Sequence, residues 1–281
     1  MRRNGFIYVI MAVMLCLTFP VSAQEQNTNE RRYLVQAPRE LDSSGIRVRM
    51  EELAGQYPEF QEIYDNLDLY PEELLLALCN NPEMIDFVKG YPETDGKVSG
   101  GLTEEELEER IPLLIQWDTR WGYVSYGNSM IGLSGCAPVC LSMVIIAITG
   151  NEKATPDVLA DDARTGGYYT PGVGTSWTFL TDVCEKYGIT GKELMLDQDK
   201  IFSELKKGNF IICSMRQGDF TTAGHFIVLT ETDGDRLRIY DPNCIMRSSW
   251  SWDFEVLRPQ IKNLWVYSKT EPAKKDAGGY K

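Results

Sequence analysis

The 281-residue chain is 43% hydrophobic, 25% charged and 11% aromatic, which excludes disordered, collagenous and low-complexity classes and allows one large domain or two modest ones. Asp and Glu outnumber Lys and Arg by 41 to 28, so nucleic acid is excluded as a default partner. The single histidine, His225, rules out a multi-histidine zinc site and any scheme needing two imidazoles, and neither metal nor cofactor is expected.

Met1-Arg2-Arg3, an apolar run from Phe6 to Phe19, and Val21 and Ala23 at the minus-three and minus-one positions read as a secretory signal peptide over residues 1–23. The run falls short of the ~20 apolar residues of a membrane span. Bulky Leu15 before Cys16 argues against lipidation. The expectation is bacterial-type export to a secreted or extracytoplasmic location, with no stable membrane insertion after cleavage. The cysteines that remain are Cys79, Cys136, Cys140, Cys184, Cys213 and Cys244, an even set that permits disulfides but lacks the spacing of a dense framework.

Residues 24–32 and 270–281 are polar and expected to be disordered. Between them, residues 33–101 read as a small all-helical module. Tyr57-Pro58-Glu59, Tyr70-Pro71-Glu72, Asn81-Pro82-Glu83 and Tyr91-Pro92-Glu93 each place proline and an acid where a helix begins. Their spacing is too irregular for a solenoid. Thr94 to Gly101 is a turn-rich break, and Thr103 to Arg110 is an acidic helical run with a solvated face. Residues 102–269 read as an α+β domain. Its helices are expected at Pro138–Ile148, Ser176–Tyr187 and Lys200–Lys207, and its strands at Phe210–Met215, Phe226–Thr230, Arg236–Tyr240 and Leu264–Tyr267.

Within this domain, Ser134-Gly135-Cys136-Ala137-Pro138 precedes an apolar run to Ile148. Pro138 suits only a first helical turn, so Cys136 falls at the amino-terminal edge of a buried helix, where the dipole favours a thiolate. Position alone leaves two readings for Cys136, a reactive thiol and a buried structural cysteine. Cys140, one turn further in, suits the structural reading. The segment from Ala223 to Pro242 reads as strand, turn and strand. A three-residue loop at Thr232-Asp233-Gly234 would set His225 directly opposite Asp241, where the carboxylate can orient the imidazole. A strand-end histidine beside an unrelated surface acid is the other reading. Taken together, Cys136, His225 and Asp241 make up the apparatus of acyl transfer.

At these residues the chain resembles the peptidase C39-like family of papain-fold cysteine peptidases. The resemblance spans about residues 111 to 268. It is carried by Gln116-Trp117-Asp118-Thr119-Arg120-Trp121-Gly122, Ser134-Gly135-Cys136-Ala137-Pro138, Gly224-His225-Phe226 and Tyr240-Asp241-Pro242. It implies a papain-like catalytic domain, a central buried helix packed on an antiparallel sheet, with catalytic roles on Cys136, His225 and Asp241. It also implies an oxyanion donor at Gln116, beside the nucleophile's own N–H. Ala137 and Val139 depart from the family's usual Gly and Thr but remove no catalytic group. The transporter-linked, leader-removing branch fits poorly, because no ATP-binding cassette sequence follows.

The expected function is that of an exported cysteine peptidase or amide hydrolase working through an acyl-thioester on peptide or protein, cell-wall peptide included. A non-catalytic binding module on the same fold, and an acyltransferase or transpeptidase with the same triad, are the alternatives. Trp117, Trp121 and Trp177 read as core before groove. The helical module is expected to dock on the catalytic domain, either as structural support or as an inhibitory pro-segment.

Overall fold

Proline and acid open several of the first helical turns. In the computed structural model, which describes residues 33–270, Pro58 and Pro82 begin the 3-10 turns Pro58–Phe60 and Pro82–Met84. Pro71 stands one place earlier than expected, as the extended residue before the helix Glu72–Asn80. The expected signal peptide, the polar segment 24–32 and the expected tail beyond Thr270 lie outside the described residues.

Three helices dominate the first part: α1 (Ser43–Gln56), α2 (Glu72–Asn80) and α3 (Ile85–Gly90). Asp42 caps α1 by accepting the Gly45 N–H at 2.8 Å. These helices, with the short turn Gln61–Tyr64, bury Met50, Leu53, Ile63, Leu74, Leu78 and Phe87 around a common core that also takes in Met130 from the following part of the chain. The described residues form one compact unit. The join is close. The Phe87 ring stacks on Tyr123 at 4.4 Å and 11°, and a Cβ built on Gly122 or Gly132 would lie 2.7 Å or 2.5 Å from that ring. Glycine at both positions lets the module's aromatic side chain reach the backbone.

The break after the module is tied down, because Ser99 donates its N–H to the Arg120 carbonyl at 2.9 Å. The acidic run forms a short helix, Glu104–Glu108, opened by a Thr103–Glu106 capping box. Glu104 and Glu105 face solvent, whereas Glu106 turns inward to pair with Arg120 at 2.6 Å.

The next helices are α4 (Cys136–Thr149), α5 (Pro156–Thr165) and α6 (Gln198–Lys206). The strands are β1 (Ile189–Glu193), β2 (Phe210–Met215), β3 (His225–Asp233), β4 (Arg236–Tyr240), β5 (Ser251–Asp253) and β6 (Ile261–Lys269). They make a six-stranded antiparallel sheet in the order β1-β6-β2-β3-β4-β5. Side chains alternate across it. Phe210, Ile212, Phe226 and Val228 join the core under α4, while Ile211, Cys213, Ile227 and Leu229 join the core under α6. Covered on both faces, β2 is buried throughout and reads as a continuous apolar run. The fold is α+β, a central buried helix on an antiparallel sheet preceded by helices.

Two local expectations are corrected. The helix expected at Ser176–Tyr187 divides into one short α-helix, Phe179–Asp182, and a 3-10 turn, Cys184–Tyr187. Its β-branched Thr178, Thr181 and Val183 disfavour a continuous helix, and the Thr181 hydroxyl bonds the Thr178 carbonyl.

The β3–β4 hairpin does not close through Thr232-Asp233-Gly234. Asp233 pairs with Arg236, leaving Gly234, at φ 64°, and Asp235 as the loop. Glycine takes the left-handed position that this tight closure requires. On its own this register would put His225 and Asp241 on opposite faces. A bulge restores the parity: Leu229 pairs with Ile239 but Glu231 pairs with Arg238, so Thr230 is the extra residue. Continued beyond Tyr240, the register sets Asp241 across from Ile227, making His225 a diagonal neighbour of Asp241 on the same face.

Candidate active site

Cys136 is the first residue of α4, a helix whose residues from Ala137 to Ile146 are all buried. Gly135 precedes it, and a Cβ there would lie 2.6 Å from the Ile131 carbonyl, so the chain can turn into the helix only with glycine. Pro138, in the first turn, lacks only an N–H that a helix start leaves unpaired. The Cys136 thiol is partly exposed at the positive end of the helix dipole. Cys140 is fully buried in the same helix, and burial holds its thiol well above its ordinary range.

His225 opens β3 and is almost fully buried. Its Nε2 meets Asp241 Oδ1 at 2.7 Å, and Cys136 is near enough to favour the protonated ring. Burial works against the charged ring, but the Asp241 charge and hydrogen bond, followed by Cys136, outweigh it and raise His225 from 6.5 to about 9.

Asp241 has no solvent exposure. Beside His225, its Oδ1 accepts the Asn243 N–H at 2.8 Å, and its Oδ2 accepts Arg247 Nε at 2.6 Å. Burial alone would favour the neutral acid, but the Arg247 and His225 charges prevail and hold Asp241 down at about 2. Arg247 is itself buried, on the short helix Ile245–Ser248. The sequence reading missed Arg247. The only local signal was an arginine six residues beyond the aspartate in an Asp-Pro-Asn turn, and such a signal does not say where the guanidinium goes.

Gln116 is buried just ahead of Trp117. Its backbone N–H donates to the Pro242 carbonyl at 2.7 Å, which ties it to the residue after Asp241. Its Nε2 donates to the Gly132 carbonyl at 2.9 Å, while Oε1 is buried without a hydrogen-bond partner. One hydrogen bond thus orients the amide, and an amide nitrogen carries a second N–H. Trp121 is core, and Trp117 donates its Nε1–H to the Asn243 carbonyl at 2.9 Å. Trp177 is 36% exposed and meets Trp265 edge to face.

Among the described residues the six cysteines are free thiols, no three His, Cys, Asp or Glu side chains gather as a metal-ligand group, and no helix is long and apolar enough to cross a membrane.

Comparison with known proteins adds the family. No curated protein matches the chain. Among solved structures, the peptidase domain of Streptococcus ComA, a bi-functional ABC transporter involved in quorum sensing, shares 14% identity over 48% of this chain and 93% of its own, with a TM-score of 0.37. A putative C39-like peptidase from Bacillus anthracis shares 13% over 50% and 90%, with a TM-score of 0.38. A double glycine motif protease from an AMS/PCAT transporter, solved with its leader peptide, shares 15% over 63% and 96%, with a TM-score of 0.36. The family model of the Peptidase_C39 like family matches residues 108–272, and the chain belongs to that family.

Proposed function

We propose that the protein is an extracytoplasmic thiol hydrolase that cleaves peptide or related amide bonds through Cys136, His225 and Asp241. One observation carries this reading: the only imidazole in the chain is held by a buried carboxylate 2.7 Å away and has Cys136, at the head of a buried helix, near enough to favour its protonated form. His225 takes the thiol proton and remains beside the thiolate as its counter-ion. The sulfur attacks the carbonyl carbon, and the negative oxygen is met by the Cys136 N–H and the second N–H of Gln116 Nε2. The C–N bond breaks as His225 passes its proton to the leaving amine, which gives an acyl-thioester. Water, deprotonated by His225, then releases the acid and restores the thiol. Asp241 keeps its negative charge throughout and holds the ring.

Labelling of the protein (residues 24–281) with iodoacetamide, read by peptide mass spectrometry, tests this. Cys136 is expected to react first near pH 7, and His225→Ala is expected to slow it at least tenfold, the lower range of general acid–base effects being ~100-fold. Equal labelling of Cys140, or a Cys136 rate indifferent to His225, overturns the reading. A digest of a diverse peptide library then gives the bond cleaved, and amine-capped products would instead indicate acyl transfer.

A further inference from the structure

The short helix that carries Arg247 does not hold itself. Four residues, Ile245–Ser248, make a single turn, and an isolated turn is unfavourable in water. Its cap position is Cys244, whose sulfur accepts the Arg247 N–H at 3.3 Å, a weak substitute for the oxygen of Ser or Asp. The stronger acceptor comes from far away in sequence. Glu83, just before α3, takes the Ile245 N–H on Oε2 and the Met246 N–H on Oε1, each at 2.9 Å. Its neighbour Asn81 donates its side-chain amide to the Asn243 carbonyl and accepts the Glu83 N–H at 3.2 Å. Two side chains of the helical module therefore grip the segment that starts two residues after Asp241.

The grip continues into the site. The turn held by Glu83 presents Arg247 to Asp241 Oδ2, and the segment held by Asn81 presents the Asn243 N–H to Asp241 Oδ1. These are the contacts that set the carboxylate plane against His225. We propose that Glu83 is a positioning residue: from the helical module, it fixes the Arg247 turn and thereby aims Asp241 at His225. The module would then be a working part of the site, in place of a removable cover. This proposal rests on the Cys136, His225, Asp241 reading given above.

The single histidine makes the test direct. In protein (residues 24–281) labelled with 15N-histidine, His225 is the only imidazole observed by NMR, and the proton on Nε2 reports its bond to Asp241 without any substrate. The wild-type protein is expected to show that proton protected from exchange with water. Glu83→Gln keeps the shape but replaces one acceptor oxygen with an NH2 donor that faces a backbone N–H. It is expected to exchange the Nε2 proton about tenfold faster and to slow Cys136 alkylation at pH 7 about tenfold, the cost of one charged-acceptor hydrogen bond, with the circular dichroism of the fold retained. Unchanged exchange and alkylation in Glu83→Gln, with or without a lower melting temperature, overturn the proposal and leave the triad reading intact. An unprotected Nε2 proton in the wild-type protein overturns both. If Glu83→Gln does not fold, Glu83→Asp keeps the charge but draws the carboxylate back from the Ile245 and Met246 N–H groups. It must then move both readouts in the same direction by a smaller factor, and no movement overturns the proposal.

Discussion

At the scale of single residues, His225 and Asp241 are displaced in opposite directions, His225 chiefly by Asp241, and Asp241 by Arg247 and then His225. His225 is raised from 6.5 to about 9, so the stability it contributes is fully present below pH 6.5 and is lost as pH rises through about 9. Asp241 is lowered from 3.8 to about 2, so its contribution is present above pH 3.8 and is lost as pH falls through about 2. The melting temperature is therefore expected to decline between pH 6.5 and 9, and His225→Gln is expected to flatten that limb. A wild-type curve as flat as that of His225→Gln would show that the pair adds nothing to folding. The same raised value keeps His225 protonated at neutral pH, the form that a thiolate partner needs.

At the scale of elements, β3 and α4 place His225 and Cys136, and each depends on a local irregularity. Thr230 is the residue by which β3 exceeds its partner strand, and without that bulge the two-residue turn would leave the histidine and the aspartate on opposite faces. The start of α4 depends on close approach. The Gly132 carbonyl accepts the Gln116 side-chain N–H, and the missing side chain leaves room for Phe87, whose ring atom would lie 2.5 Å from a Cβ there. Gly132→Ala is expected to destabilise the protein by about 1–3 kcal/mol through overpacking. Most of that cost is expected to vanish in a Phe87→Ala background, and a double-mutant cycle on urea midpoints measures it. An additive cycle would mean that Phe87 does not fill this socket.

At the scale of the whole molecule, the helical part and the sheet part share apolar surface. Phe87, Tyr123, Trp117 and Met130 belong to one cluster that takes in both parts. A chain beginning at Leu102 would uncover the socket on Gly122 and Gly132 and take Glu83 and Asn81 away from the Asp241 segment. It is expected to be poorly soluble, or to melt well below residues 24–281, because an exposed apolar patch of this kind is an aggregation surface. A stable truncated chain with higher activity would instead make the module an inhibitor.

Much of this was legible locally. The cysteine at the head of an apolar run, the strands through Phe210 and Phe226 and a glycine in the turn follow from hydrophobic period, proline at helix starts and backbone sterics, and these act over a few residues. The four ordered motifs sufficed for the family. The pairing of His225 with Asp241 was read through a loop that the chain does not form. The bulge at Thr230 escaped notice because register is settled by which side chains the two faces bury. Arg247, Glu83 and Asn81 were out of reach for another reason. Glu83 and Asn81 meet a segment distant in sequence, up to 163 residues away for Glu83, and Arg247, though six residues from Asp241, carries no local signal of where its guanidinium goes. The sequence by itself determined the residue types of the chemistry and the elements that carry them. The tertiary structure alone decided the register that joins histidine to aspartate and the long-range contacts that hold the aspartate still, because both depend on burial between segments that meet only when the chain is folded.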